Sequence, residues 1–291
     1  MSAATKRIVV FGGNGFLGSR ICKSAVARNW DVTSVSRSGT PSWPTVTSTP
    51  HPPAWSTSVS WERADIFKPA QWIPLLSNAD YVVHSLGILL EADYKGLVSG
   101  RENPLTALSK VFGANSAHQT PNPLDRKPGD RQEVVGGKQQ LTYEMMNRDS
   151  AILLAKESEA AGVKGFGFIS AAAGAPILPG RYITTKREAE EVIAREFPQM
   201  RGVFFRPPFM WDSGRAMTVP LAAGAAAAST LNKATGGIFG GFLGAAAIKP
   251  LKADLVADAV VEGLADERVK GPVEVEELER LGTKGWRGNM A

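Results

Sequence analysis

The stretch that most restricts this 291-residue chain is Gly12-Gly13-Asn14-Gly15-Phe16-Leu17-Gly18. Before it, Arg7 to Phe11 is an apolar, β-branched run suited to a strand buried on both faces. After it, Phe16, Leu17, Ile21, Ala25 and Val26 recur at helical spacing, so the glycines sit at a strand-to-helix turn. A helix N-terminus presents unpaired N–H groups and a partial positive charge, and glycine lets backbone approach an anion with no Cβ between them. The turn reads as a cradle for a pyrophosphate, with Gly12, Asn14, Gly15, Phe16, Leu17 and Gly18 in contact; a bare structural corner is the alternative.

Asp31 to Ser36 reads as the second strand, arriving after one helix as a βαβ unit requires. At its end stands Arg37, where a protein selective for NAD ordinarily carries an acid for the ribose hydroxyls. An arginine forks instead onto a 2′-phosphate, with Ser36 and Ser38 as hydroxyl donors, so the pattern predicts NADP(H) over NAD(H). A solvated arginine leaving a strand is the plain alternative.

With 43% hydrophobic residues the chain can bury one large core, or a nucleotide-binding domain plus a small C-terminal lobe. The formal charge of +5 is a mild excess that does not argue for nucleic acid as a partner. A single cysteine, Cys22, excludes an internal disulfide, and three scattered histidines give no metal site. The first strand begins by residue 7, leaving no room for a secretory signal, and the leader MSAATKR is short for a presequence.

Residues 39–58 read as a Pro/Ser/Thr-rich loop, and Val59 to Arg63 as the third strand, ending near Asp65-Ile66. A helix is expected from near Pro69, and Ala79 to Leu86 forms the fourth strand, followed by Gly87. Residues 92–142 are polar and too long for an ordinary connection, with a short helix expected near Asn103 to Val111. From Thr142 an apolar face of Tyr143, Met146, Ile152, Leu153, Ala155 and Ala160 predicts a helix ended by Gly162.

Gly165 to Ser170 is the fifth strand, and Tyr182 and Lys186 follow it at YxxxK spacing, opening a helix over Thr184 to Phe197. Four residues on a helix is one turn on one face, so the Lys186 ammonium can lie near the Tyr182 hydroxyl and favour its phenolate. Ser170 would hydrogen-bond the same substrate oxygen. Val203 to Phe205 is a sixth strand leading into Arg206-Pro207, Lys252 to Leu264 a helix, and Pro272 to Val275 a last strand before a frayed tail after Leu281. Val219 to Ile248 is Gly/Ala-rich and split by Lys233 into pieces shorter than the roughly twenty residues a membrane span needs. It reads as a pocket cover, an interfacial membrane contact or a partner surface.

These motifs resemble the extended and atypical branches of the short-chain dehydrogenase/reductase superfamily. The resemblance implies an α/β fold, a Rossmann doubly wound parallel sheet with helices on both faces, in which residues 1–215 bind the dinucleotide and 216–291 form a small C-terminal substrate lobe. It places Asp65 and Ile66 beside the adenine, although Asp65 also suits a helix cap. It sets Ser85, Leu86 and Gly87 against the phosphates and ribose, with His84 held in the sheet nearby. Arg206 and Pro207 would lie along the nicotinamide, and Ser170, Tyr182 and Lys186 would be catalytic.

Runs such as VFGGNGFLGSRIC, VVHSLGILLE, TYEMMN and RPPFMWD are similar to a fungal mitochondrial branch tied to ubiquinone (coenzyme Q) biosynthesis at the inner membrane. That similarity implies a matrix-side protein, a hydrophobic quinone-like substrate, and partners in the ubiquinone biosynthesis complex. Two expectations follow: an oxidoreductase, or a dinucleotide-bound scaffold without turnover.

Overall fold

The computed structural model describes residues 5–47, 49–87, 123–125, 142–172, 180–212, 230 and 248–289. Nine strands are described, β1 (Arg7–Phe11), β2 (Asp31–Ser36), β3 (Val59–Arg63), β4 (Tyr81–His84), β5 (Gly165–Ile169), β6 (Arg201–Phe205), β7 (Met210–Trp211), β8 (Leu251–Lys252) and β9 (Gly271–Val273). Seven of them make one sheet, every pairing parallel, in the order β3-β2-β1-β4-β5-β6-β9, and β7 pairs with β8 alongside. Parallel neighbours require crossovers, and the crossovers coat both faces with helices. These are α1 (Phe16–Ala27), α2 (Ser150–Ala160, led by a π-helical stretch Glu144–Asp149), α3 (Gly180–Glu196), α4 (Ala253–Ala265) and α5 (Val275–Gly288).

Alternate strand residues feed two cores. Ile8, Val10, Val83 and Phe205 pack beneath α1, α4 and α5, whereas Val9, Phe11, Val82 and Phe204 pack with α2 and α3. Burial on both faces is why β1, β4 and β5 read as near-continuous apolar runs. In α1, Leu17, Ile21 and Ala25 face the sheet, and Cys22, also buried, has its thiol pushed up to about 12 by loss of water. Asn29, at φ 57, follows α1 in the left-handed conformation that asparagine tolerates, and the chain turns back into β2.

The order reverses between β1 and β4, so the crevice beyond their carboxyl ends is where a doubly wound sheet binds ligands. The described part of 216–291 is built into this same body. β9 extends the sheet, α4 packs on α1, and α5 packs on α4. Arg201 at the start of β6 donates to the carbonyls of Gly263, Leu264, Asp266 and Val269, closing the C-terminal end of α4.

Several expectations are corrected. Within 39–58 the chain forms a helical turn at Trp43–Val46 and a 3₁₀ turn at Ala54–Ser58, and Trp43 packs edge-on against both Trp55 and Trp61. The helix near Pro69 is two 3₁₀ turns, Pro69–Gln71 and Ile73–Leu76, each with proline in its first turn. The tail after Leu281 is not frayed, since α5 runs on to Gly288. The helix near Asn103, the insertion 92–142 up to Leu141 apart from 123–125, and the Gly/Ala segment apart from Thr230 and Ile248 lie outside the described residues. Among the described residues no helix is long and apolar enough to cross a membrane, and no cluster of His, Cys, Asp or Glu could hold a metal.

Candidate functional site

Gly12 follows β1 at φ 87, its N–H donating to the Val35 carbonyl at 2.8 Å. A methyl there would stand 2.9 Å from the Ser85 oxygen, one on Gly13 2.3 Å from Ser34 Oγ, and one on Gly18 2.1 Å from the Gly12 oxygen. These three positions are glycine because the protein packs against them. Gly15 differs: its φ of −86° suits any residue, and a methyl would meet only the Gly12 oxygen, at 3.2 Å. It is the N-cap of α1, supplies no side-chain cap, and the first turn of α1 holds no acid. Space over an uncapped helix N-terminus fits a diphosphate, so the residues present suit a dinucleotide. Leu17 is buried in the core, so only its backbone faces the turn, while the Arg20 guanidinium lies 4.4 Å over the Phe16 ring.

Ser36 to Gly39 form a tight turn after β2. The Gly39 N–H donates to the Ser36 carbonyl at 3.3 Å and Ser36 Oγ donates to the Gly39 carbonyl at 2.9 Å. Ser36, expected as a phosphate donor, is thus buried and shapes the turn instead. Arg37 and Ser38 are exposed at its tip, and Asn14 Nδ2 reaches Ser38 Oγ at 2.6 Å, joining this turn to the glycine turn. Asp65 caps no helix: its Oδ1 accepts the Phe67 N–H at 3.1 Å, and Lys68 precedes the 3₁₀ turn. Ile66 is buried, its carbonyl accepting Trp72 Nε1 at 3.1 Å.

Beyond β4 the backbone of Ser85 and the side chain of Leu86 line the glycine turn, and Gly87 opens toward α3. A methyl on Gly87 would lie 3.1 Å from Asn147 Oδ1 and 3.6 Å from Lys186 Nζ. Lys186 is buried, donates to the Ile169 carbonyl at 2.9 Å, and stands 5.7 Å from the centre of the Tyr182 ring. Burial pulls its ammonium down to about 8, with Glu190 opposing and Arg187 adding. Burial also pushes the Tyr182 phenol up to about 12, the reverse of the activation the Tyr–Lys spacing suggests. α3 begins at Gly180, earlier than its pattern predicted, so both residues lie within it. Its start is held by Arg181, which pairs with Glu144 on the π-helical stretch and with Glu188.

Ser170 Oγ accepts a hydrogen bond from Arg187 at 2.9 Å and keeps its own proton to donate. Arg187 also binds Glu190 and the Ala171 carbonyl. Arg206 is committed elsewhere: its guanidinium spans Glu190 and Glu274. Pro207 meets the site through backbone, its carbonyl accepting the Ala172 N–H at 2.9 Å. His84 is buried beside Ser150 and Phe168, in the sheet as expected. Sequence reasoning passed over Arg187, Glu190 and Asn147. The Arg–Glu spacing of three in α3 and the π-helical turn around Asn147 were the available signals.

Residues 8–92 match the model of the NAD dependent epimerase/dehydratase family. The chain is 41% identical over 229 residues to MIOREX complex component 2 of Saccharomyces cerevisiae, covering 72% of this chain and 74% of that protein. It belongs to the extended short-chain dehydrogenase/reductase superfamily. Among solved structures, vestitone reductase from alfalfa superposes with a TM-score of 0.52 at 16% identity, covering 92% of this chain and 76% of that one. UDP-glucuronic acid 4-epimerase from Bacillus cereus in complex with NAD gives 0.52 at 15% identity, covering 92% and 78%.

Proposed function

We propose that this protein binds NADP(H) and is an oxidoreductase acting on a hydrophobic, quinone-like substrate in mitochondrial ubiquinone biosynthesis, at the matrix side of the inner membrane. One observation carries the catalytic part: the segment Ser85-Leu86-Gly87 runs from the glycine turn, which Ser85 backbone and the Leu86 side chain line, to Lys186, which lies against Gly87. A dinucleotide seated on Gly15 is thereby led toward Tyr182. Arg37 and Ser38 at the rim of the β2 turn support NADP(H).

When bound, the nicotinamide supplies hydride exchange. The chain's own residues handle position and protons: Ser170 donates to the substrate oxygen, Tyr182 exchanges a proton with it, and Lys186 holds a positive charge beside the phenol. At about 8 the Lys186 ammonium remains mostly charged at neutral pH. The phenol, pushed up to about 12 by burial, needs that charge close to its oxygen to bring it into range. The test is NADPH consumption with a short-chain quinone. Tyr182→Phe should lower kcat by about a hundredfold or more with dinucleotide affinity retained; undiminished turnover would remove Tyr182 from the chemistry.

A second reading, a dinucleotide-bound scaffold, draws support from the high Tyr182 phenol and from the relative's name as a component of a complex. It predicts that Tyr182→Phe leaves both complex assembly and quinone synthesis intact. Loss of synthesis with assembly preserved sinks it.

A further inference from the structure

We infer that Arg63, at the end of β3, is the second arm of the phosphate-recognition site, closing with Arg37 on the 2′-phosphomonoester of the nucleotide; this rests on the NADP(H) reading above. Nothing in the sequence links the two, which stand 26 positions apart. The register pairs Ser36 with Arg63, so the residue after β2 and the last residue of β3 emerge side by side at the carboxyl edge. Arg63 Nε donates to the Arg37 carbonyl at 3.1 Å. That bond spends one donor, fixes the fork, and leaves both terminal nitrogens of an exposed guanidinium.

The surroundings favour an anion between them. Among the described residues neither Arg37 nor Arg63 has a carboxylate in salt-bridge range, in contrast to Arg20, Arg28, Arg181 and Arg206, each of which holds an acid. The turn that presents Arg37 is locked by the Ser36–Gly39 bond, so the backbone that carries Arg37 and accepts from Arg63 is preorganised. The Asn14–Ser38 bond ties it to the glycine turn, placing this cationic rim and the diphosphate cradle within reach of one ligand. Two planar forks on one phosphate double the charge-assisted contact that a lone arginine gives.

The test is equilibrium binding by the full chain, read through tryptophan fluorescence, since Trp61 lies two residues before Arg63 on β3. Wild type, Arg63→Met and Arg37→Met are titrated with NADP⁺, NAD⁺, 2′,5′-ADP, 5′-AMP and inorganic phosphate. Arg63→Met should weaken NADP⁺ and 2′,5′-ADP by roughly ten- to a hundredfold, as loss of a charge-assisted bond does, and NAD⁺ and 5′-AMP by less than about twofold. If Arg63→Met binds NADP⁺ as wild type does while Arg37→Met does not, the Arg63 assignment falls and the NADP(H) reading stands. Equal weakening of both dinucleotides also overturns it, leaving Arg63 only a pin for the turn. Wild type favouring NAD⁺ removes the NADP(H) reading and this inference together, and inorganic phosphate competing as well as 2′,5′-ADP shows a free-anion site instead.

Discussion

His84 has no neighbour that welcomes a positive charge. It is buried, its ring stands 5.5 Å from that of Phe168, and burial first, then the Lys186 ammonium, push it down to about 3. Ser150 Oγ donates to the Met146 carbonyl at 2.9 Å, so it accepts from His84 Nε2 at 2.8 Å, which makes Nε2 the protonated nitrogen of a neutral ring. The sign of the pH dependence follows. With an ordinary value of 6.5 when unfolded and about 3 when folded, the native state refuses a proton that the unfolded chain accepts. Stability held above pH 6.5 is therefore lost as pH falls toward 3, at up to about 1.4 kcal/mol per pH unit from this group alone. His84→Gln, which can still donate to Ser150, should show a visibly shallower decline in urea midpoint between pH 7 and pH 4.5. An unchanged slope would mean that other groups carry the acid sensitivity.

The turn between β1 and α1 separates folding from binding, because its glycines are small for different reasons. Gly18→Ala drives a methyl into the Gly12 oxygen and should lower the melting temperature and dinucleotide affinity together. Gly15→Ala meets one oxygen at 3.2 Å, so its melting temperature should stay within about 4 °C of wild type, a cost near 1 kcal/mol, while dinucleotide affinity drops about tenfold or more. Retained affinity in Gly15→Ala would show that no diphosphate sits over that N-terminus. This element was legible because strand, glycines and helix are contiguous, and the inner strands β4 and β5 were legible because double burial makes near-continuous apolar runs. What comes from register was hidden: Arg63 beside Arg37, and Arg187 on Ser170, are neighbours only once β3 pairs with β2 and α3 lies on β5. The helix after Thr142 was foreseen but not its π-helical stretch, and within the α-helix that follows Leu154 rather than Leu153 is fully buried.

At the scale of the molecule, the C-terminal residues finish the fold on the α1 face of the sheet. Arg28 on the end of α1 and Lys284 on α5 both pair with Glu262 of α4, and Ser24 donates to Asp258, so the three helices share one polar seam above their apolar contacts. Its terminal position made this end look frayed, and its glycines would ordinarily weaken a helix. Here they let backbones meet: a methyl on Gly282 would stand 2.4 Å from the Leu255 oxygen, and one on Gly285 2.9 Å from the Asp258 oxygen. Leu278 and Leu281 are consequently wholly buried in the core that holds Val256, Val260 and Leu264. Leu281→Ala should then cost about 2–5 kcal/mol in equilibrium urea unfolding, as deletion from a packed core does. A truly frayed tail would give a change within about 0.5 kcal/mol, as surface substitutions do. Because α5 presses on α4 and α4 on α1, whose N-terminus carries the glycine turn, the same variant should weaken dinucleotide binding only as far as it unfolds the protein. Saturating dinucleotide should therefore raise its midpoint by the same free energy as it does in wild type.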